Sequence, residues 1–101
     1  MLDMLSSQES AGAYSLRAWT GVATDEGVGL ISMVEVADER GLPMCRFEVF
    51  AGASVLRGQS WPRDEGEALR RLQHEALDRA RDAALAGRLA ELHGHRFDLG
   101  R

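Results

Sequence analysis

The chain has 101 residues, of which 45% are hydrophobic, and a formal net charge of −4. This length suits a single domain with a hydrophobic core, and the acidic balance argues against nucleic acid as a partner. The one cysteine, Cys45, excludes an internal disulfide framework and a cysteine-rich metal site. All twelve basic residues are arginine, which excludes lysine chemistry and indicates a GC-rich, bacterial genome.

The chain carries no signal for membranes or export. No apolar run approaches the length that spans a bilayer. The segment Met1–Leu5 lacks the basic start and the long apolar stretch of a signal peptide. We therefore expect a cytoplasmic protein without a membrane partner.

Residues 1–13 combine a short apolar cluster with a serine-rich stretch. We predict that they form a tail, or a short helix that docks Leu2 and Leu5 on the rest of the protein. Residues 14–101 are predicted to form one α+β domain.

Apolar residues recur at every second position between Tyr14 and Phe50, a spacing typical of β-strands. It predicts strands at 14–22, 28–36 and 44–50, with a hairpin turn at 24–27 and a second turn at 37–43. Residues 55–57 are predicted as a short fourth strand or a continuation of the third. Because the connections are short, we expect an antiparallel meander of three to four strands.

The apolar spacing changes to the helical repeat after Pro62. Asp64 and Glu67 have the spacing of a capping box, so the helix should begin at residue 64 and continue to about 86. At Gly87 the helix either breaks or continues and presents a second apolar stripe to a partner. One stripe should pack across one face of the sheet, and the charged residues opposite it, Arg81 among them, should face solvent. The stripe consists of Leu69, Leu72, Ala76, Ala80 and Ala83.

The predicted elements leave more apolar surface than one helix can cover. Both faces of the sheet carry large side chains, and leucines beyond the stripe point elsewhere. A surplus of this kind on a small domain indicates an interface. We therefore predict a homo-oligomer or a protein-binding module, with an interface drawn from Trp19, Ile31, Met33, Leu85, Leu89 and Leu92.

The sequence contains no catalytic signature. Cys45 alternates in register with Phe47 and Val49, which predicts a packed hydrophobe and not a nucleophile. No pair of carboxylates has a spacing that argues for acid–base work. We expect a protein that is not an enzyme and holds no cofactor.

Two alternative functions remain open at this point. The first is nucleic-acid binding through an arginine patch built from Arg17, Arg46, Arg57 and Arg63. The second is binding of a small ligand or metal ion by His93 and His95, with Glu91 and Asp98 nearby in sequence.

The predicted order of a short helix, three strands and a long helix resembles that of the double-stranded RNA-binding domain. That family carries a basic cluster at the start of its second helix, where it grips phosphates. The matching segment here, residues 62–67, is acidic. The resemblance therefore covers the order of the elements and does not extend to RNA binding.

Overall fold

The structure, a computed structural model, describes residues 4–23 and 29–100. Within these residues five strands form one sheet in the order β1-β2-β3-β4-β5, and a long helix packs on it. Strands β1 to β4 are antiparallel neighbours, whereas β5 runs parallel to β4. The elements are β1 (Leu5–Ala11), β2 (Tyr14–Ala23), β3 (Gly29–Ala37), β4 (Pro43–Gly52), α1 (Ala53–Leu56), α2 (Glu65–Ala86), α3 (Leu89–Leu92) and β5 (Arg96–Asp98).

The α+β class and the long helix on the sheet are confirmed, but the sheet is larger than predicted and mixed. The predicted strands at 14–22, 28–36 and 44–50 correspond to β2, β3 and β4. The predicted hairpin turn at 24–27 lies outside the described residues. The second turn is present: the Asp38 carboxylate accepts hydrogen bonds from the backbone N–H groups of Arg40 and Leu42, at 2.8 and 2.9 Å.

The N-terminal segment corrects one prediction. Instead of a tail or a short helix, Leu5–Ala11 forms β1 and pairs with β2 along its whole length. Gly12, with φ of 61°, closes the tight turn between the two strands, a conformation that glycine adopts without steric cost. The serine-rich sequence has little strand preference of its own. Pairing with β2 therefore stabilises its extended conformation.

The segment after β4 corrects a second prediction. Residues 53–56 form the helical turn α1, where a fourth strand or an extension of the third was expected at 55–57. The chain leaves the sheet here and returns as β5, next to β4. The Glu48 N–H of β4 donates a hydrogen bond to the His95 carbonyl, just before β5, at 3.0 Å. A parallel neighbour requires a long crossover connection, and α1, α2 and α3 supply it.

Helix α2 begins and ends where the sequence predicts. The Asp64 side chain accepts a hydrogen bond from the Glu67 backbone N–H at 3.0 Å, which caps the first turn. Gly87 ends the helix with φ of 71°, and its N–H bonds back to the carbonyls of Ala83 and Ala84. Both ends thus satisfy backbone groups that a helix leaves without intrahelical partners.

The core lies between α2 and the sheet, mainly at β2 and β3. All five residues of the predicted stripe are buried, and Ala76 and Ala80 have no exposed surface. Their small side chains let the helix approach closely, and the sheet fills the space from its side. The large, fully buried sheet residues include Leu16, Val34, Phe47 and Val49.

A polar network joins the helix to three strands; Thr20, Ser32 and Gln73 are buried, and Ser7 lies at its exposed edge. The Thr20 Oγ1 atom lies 2.8 Å from Gln73 Oε1 and 2.9 Å from Ser32 Oγ. Because an amide oxygen can only accept, Thr20 donates to Gln73 and accepts from Ser32. Gln73 Nε2 then donates to Ser7 Oγ at 2.8 Å. The network therefore sets the position of α2 relative to β1, β2 and β3.

A further polar contact ties α2 to the edge strand. Arg81 forms ion pairs with Glu9 of β1 and with Asp78 of its own helix. Its place opposite the stripe predicts that Arg81 faces solvent, but the arginine is half-buried.

The close approach of α2 can be tested at Ala80. We expect Ala80→Leu to lower the free energy of unfolding by about 1–3 kcal/mol, because the added atoms have no space. The same substitution at Ala86, an exposed residue of the same helix, should change it by less than about 0.5 kcal/mol. Urea denaturation of both variants measures the difference, and equal losses would contradict the packing described here.

The buried network can be tested by removing one hydroxyl. We expect Thr20→Val, which keeps the shape, to cost about 1–3 kcal/mol, since the Gln73 amide oxygen would lose its buried donor. Adding Gln73→Leu should recover part of that loss, because the orphaned acceptor is then gone. A double-mutant cycle by urea denaturation measures the coupling. Simple additivity of the two losses would show that the two residues are not coupled.

Candidate interaction surface

The two faces of the sheet have different environments. In β2, buried Leu16, Ala18 and Thr20 alternate with Arg17 and Trp19, which point away from α2. The same alternation runs through β3 and β4. In the part of the chain that the structure describes, no helix packs over this second face, which we call the free face.

The strand register assembles an apolar patch on the free face. Trp19 lies opposite Met33, and Ile31 lies between Gly21 and Phe50. Met33 is 38% exposed, and the two aromatic residues and Ile31 are partly buried. The structure thus brings together the three strand residues of the predicted interface. We call the set Trp19, Ile31, Met33 and Phe50 the apolar patch.

Phe50 is the member of the apolar patch that the sequence analysis missed. Its position was already implied by strand alternation, because Cys45, Phe47 and Val49 occupy the buried face and leave Phe50 to the other. Its ring lies over Gly29: a Cβ atom added there would be 2.7 Å from Phe50 Cζ and 2.9 Å from the Ala51 carbonyl oxygen. Glycine at position 29 therefore creates the space that the ring occupies.

Arginine side chains cover both aromatic rings of the apolar patch. The Arg17 guanidinium lies 5.1 Å from the centre of the Trp19 ring, and that of Arg96 lies 4.4 Å from the centre of the Phe50 ring. Such cation–π contacts orient the guanidinium groups on the rings. Tryptophan and arginine are enriched among the residues that contribute most to protein–protein binding.

The charges on the free face balance. Arg46 pairs with Glu35 at 2.9 Å, and Arg96 pairs with Asp98 at 3.3 Å. Within the described residues of this face, three arginines are matched by three carboxylates. They are Arg17, Arg46 and Arg96, against Glu35, Glu48 and Asp98. A balanced surface attracts phosphate backbones poorly, since their affinity depends on an excess of positive charge.

The C-terminal leucines of the predicted interface do not join the apolar patch. Leu85 is 68% exposed on α2, and Leu92 is half-buried beside the end of that helix. Leu89 is only 8% exposed and packs in the chain's own core, so it offers little surface to a partner. Gly87 turns the chain after α2, and Leu89 thereby points back into the protein.

The four arginines of the nucleic-acid hypothesis lie on different surfaces. Arg17 and Arg46 share one row of the free face, but Glu35 stands between them. Arg63 instead lines a groove of about 260 Å³ on the helix side of the sheet, next to Pro62. Arg57 directly follows α1. The four residues therefore do not form the single basic patch that this hypothesis requires.

The C-terminal histidines make contacts within the chain. His93 Nδ1 accepts a hydrogen bond from the Arg46 backbone N–H at 3.1 Å, which ties the end of α3 to β4. The His95 ring stacks on Phe97 with 6.0 Å between ring centres. Over residues 4–23 and 29–100, no group of three or more histidine, cysteine or acidic side chains is placed to hold a metal ion.

Cys45 lies on the helix side of the sheet and is 2% exposed. Burial raises the pKa of its thiol, which disfavours the reactive thiolate. Its location agrees with the packed hydrophobe that strand alternation predicts.

Searches for similar proteins leave the function to be inferred from this geometry. No protein-family model, curated protein or solved structure matches the chain. Among the helices that the structure describes, none has the length and apolar character to cross a membrane.

The space under the Phe50 ring can be tested at Gly29. We expect Gly29→Ala to lower the free energy of unfolding by about 1–3 kcal/mol, because the new methyl group would overlap the ring and the Ala51 carbonyl. Gly21→Ala is the matched control: it lies on the same face, with no atom within 4 Å of the added Cβ. Thermal unfolding compares the two variants at low protein concentration, where association does not contribute to stability, and equal stabilities would contradict this position of the ring.

Proposed function

We propose that this chain is a non-enzymatic association module that binds a protein surface through the free face of its sheet. The observation that carries the proposal is the apolar patch, which lies in the middle of a charge-balanced face. We also propose that the protein acts in the cytoplasm of a bacterium. This is supported by the use of arginine for every basic residue and by the single, buried cysteine.

The energetics favour the apolar patch over the other exposed hydrophobic residues. Full burial of an exposed side chain of this size contributes about 1.5–3 kcal/mol, and the partly buried Ile31 and Phe50 gain a part of that when a partner covers them. The four residues of the patch are neighbours on adjacent strands, so one partner surface can bury them together. Leu85 is more exposed, at 68%, but it lies on α2 and not on the free face, and single exposed hydrophobics are common on protein surfaces.

Single-stranded nucleic acid is a second candidate, favoured by one observation. Trp19 and Phe50 project from a sheet surface beside arginines, and aromatic side chains on sheets can stack on unpaired bases. The balanced charge of the face favours a protein partner instead. A salt titration with a labelled single-stranded oligonucleotide separates the two, since phosphate contacts give a steep decrease in affinity with salt.

The proposal can be tested with a photo-cross-linking amino acid at Gln8, an exposed residue at the rim of the free face. This position leaves the apolar patch unchanged. We expect a discrete protein adduct in cells, either with a second copy or with another protein. Adding Ile31→Glu should reduce the adduct at least about tenfold, because it places a charge in the desolvated contact.

The control places the same cross-linker at Leu85, on the helix side of the molecule, where no Ile31-dependent adduct is expected. Circular dichroism confirms that the Ile31→Glu variant is folded. An adduct at Gln8 that Ile31→Glu leaves unchanged would refute the proposal. An adduct that nuclease removes would favour the nucleic-acid alternative.

A further inference from the structure

The free face carries a pattern that identifies a specific partner for the proposed function. We infer that its occupant is a second copy of this chain, related by a two-fold axis that runs between β2 and β3, parallel to both strands. This inference rests on the proposed use of the free face. It adds the identity of the partner and the residues that meet.

The inference follows from the pairing of β2 with β3. Arg17 lies opposite Glu35, Trp19 opposite Met33, and Gly21 opposite Ile31. A two-fold axis between the strands exchanges the two positions of every such pair. Each residue then faces, in the second copy, the type of residue that it neighbours in its own sheet.

The contacts produced in this way are complementary in charge and shape. Arg17 meets the partner's Glu35, and this occurs twice because of the symmetry. Trp19 packs on the partner's Met33, and the large side chain of Ile31 lies over the partner's Gly21, where the structure has open space. Two sheets packed at about 10 Å bring such side chains into direct contact.

The state of the charges in one copy supports this axis. Glu35 already pairs with Arg46 of its own chain at 2.9 Å. Among the described residues Arg17 has a cation–π contact with Trp19 and no ion pair. Arg17 is therefore the arginine of this row that lacks a carboxylate, and the partner's Glu35 supplies one.

Other axes parallel to the strands are less favourable. An axis along β3 would place Arg17 against the partner's Arg46 and Trp19 against the partner's Glu48. An axis between β3 and β4 would press Met33 on the partner's Glu48 and leave Arg17 without a carboxylate. Like-charge contacts and buried unpaired charges both oppose association.

A charge exchange tests the inference on the purified chain. Sedimentation equilibrium should show a dimer of the 11.1 kDa chain. Arg17→Glu and Glu35→Arg, each alone, should raise the dissociation constant at least about tenfold, because each creates two like-charge contacts. An equimolar mixture of the two variants should associate as well as the unaltered chain, since both contacts in the mixed dimer again join opposite charges.

Arg46→Glu mixed with Glu35→Arg is the matched control, and this mixture should not restore association. If Arg46→Glu, and not Arg17→Glu, restored association with Glu35→Arg, the two-fold axis would lie between β3 and β4, and the proposed arrangement would be refuted. A monomer at high micromolar concentration would refute the second copy as partner. In that case an Ile31-dependent adduct with a different protein would still support the proposed function, so the two failures are distinguishable. Thermal unfolding of each variant ensures that lost association is not lost folding.

Discussion

The close contact between α2 and one face of the sheet determines the rest of the structure. Alanines at positions 76, 80 and 83 bring the helix backbone near the strands, and Phe47, Leu16 and Val34 fill the space from below. The three helices together form the connection from β4 to β5, and they lie on the same side, since Leu89 of α3 and Val55 of α1 pack in the same core as α2. One layer of helices and one sheet make the core, and the opposite sheet face receives no cover from the described chain.

The polar network fixes the position of α2 on the sheet. A smooth surface of alanines would let a helix slide along the sheet at little cost. Gln73 prevents such a shift, because its amide reaches Thr20 on one side and Ser7 on the other. Any displacement would leave buried donors and acceptors without partners, which costs more than the bonds contribute when formed.

Sequence reasoning succeeded where a pattern was long or a residue had a specific local role. The period change at Pro62 and the cap at Asp64 were predicted, since each follows from short-range chemistry, and the break at Gly87 was one of the two outcomes expected there. The misses depend on distant pairing. The serine-rich β1 and the three-residue β5 form because a neighbouring strand offers an edge, and neither has a clear alternation of its own.

The candidate surface shows the same division. Trp19, Ile31 and Met33 were predicted from surplus hydrophobicity, and Phe50 followed from alternation that was present but unused. Leu89 was assigned to the interface because the direction of the chain after Gly87 could not be read from the sequence. The charge balance also required the structure, since it arises from the register that places Glu35 between Arg17 and Arg46.

In the proposed dimer, that register links the folding of one copy to the recognition of another. Opposite charges on neighbouring strands stabilise a sheet modestly, as Arg46 does with Glu35. A two-fold axis along the same strands converts cross-strand neighbours into contacts between copies, so a pattern favourable within the sheet is favourable between sheets. A slip of one residue would turn these side chains to the buried face. The same pairing that orients the apolar patch therefore also sets the order of charges around it.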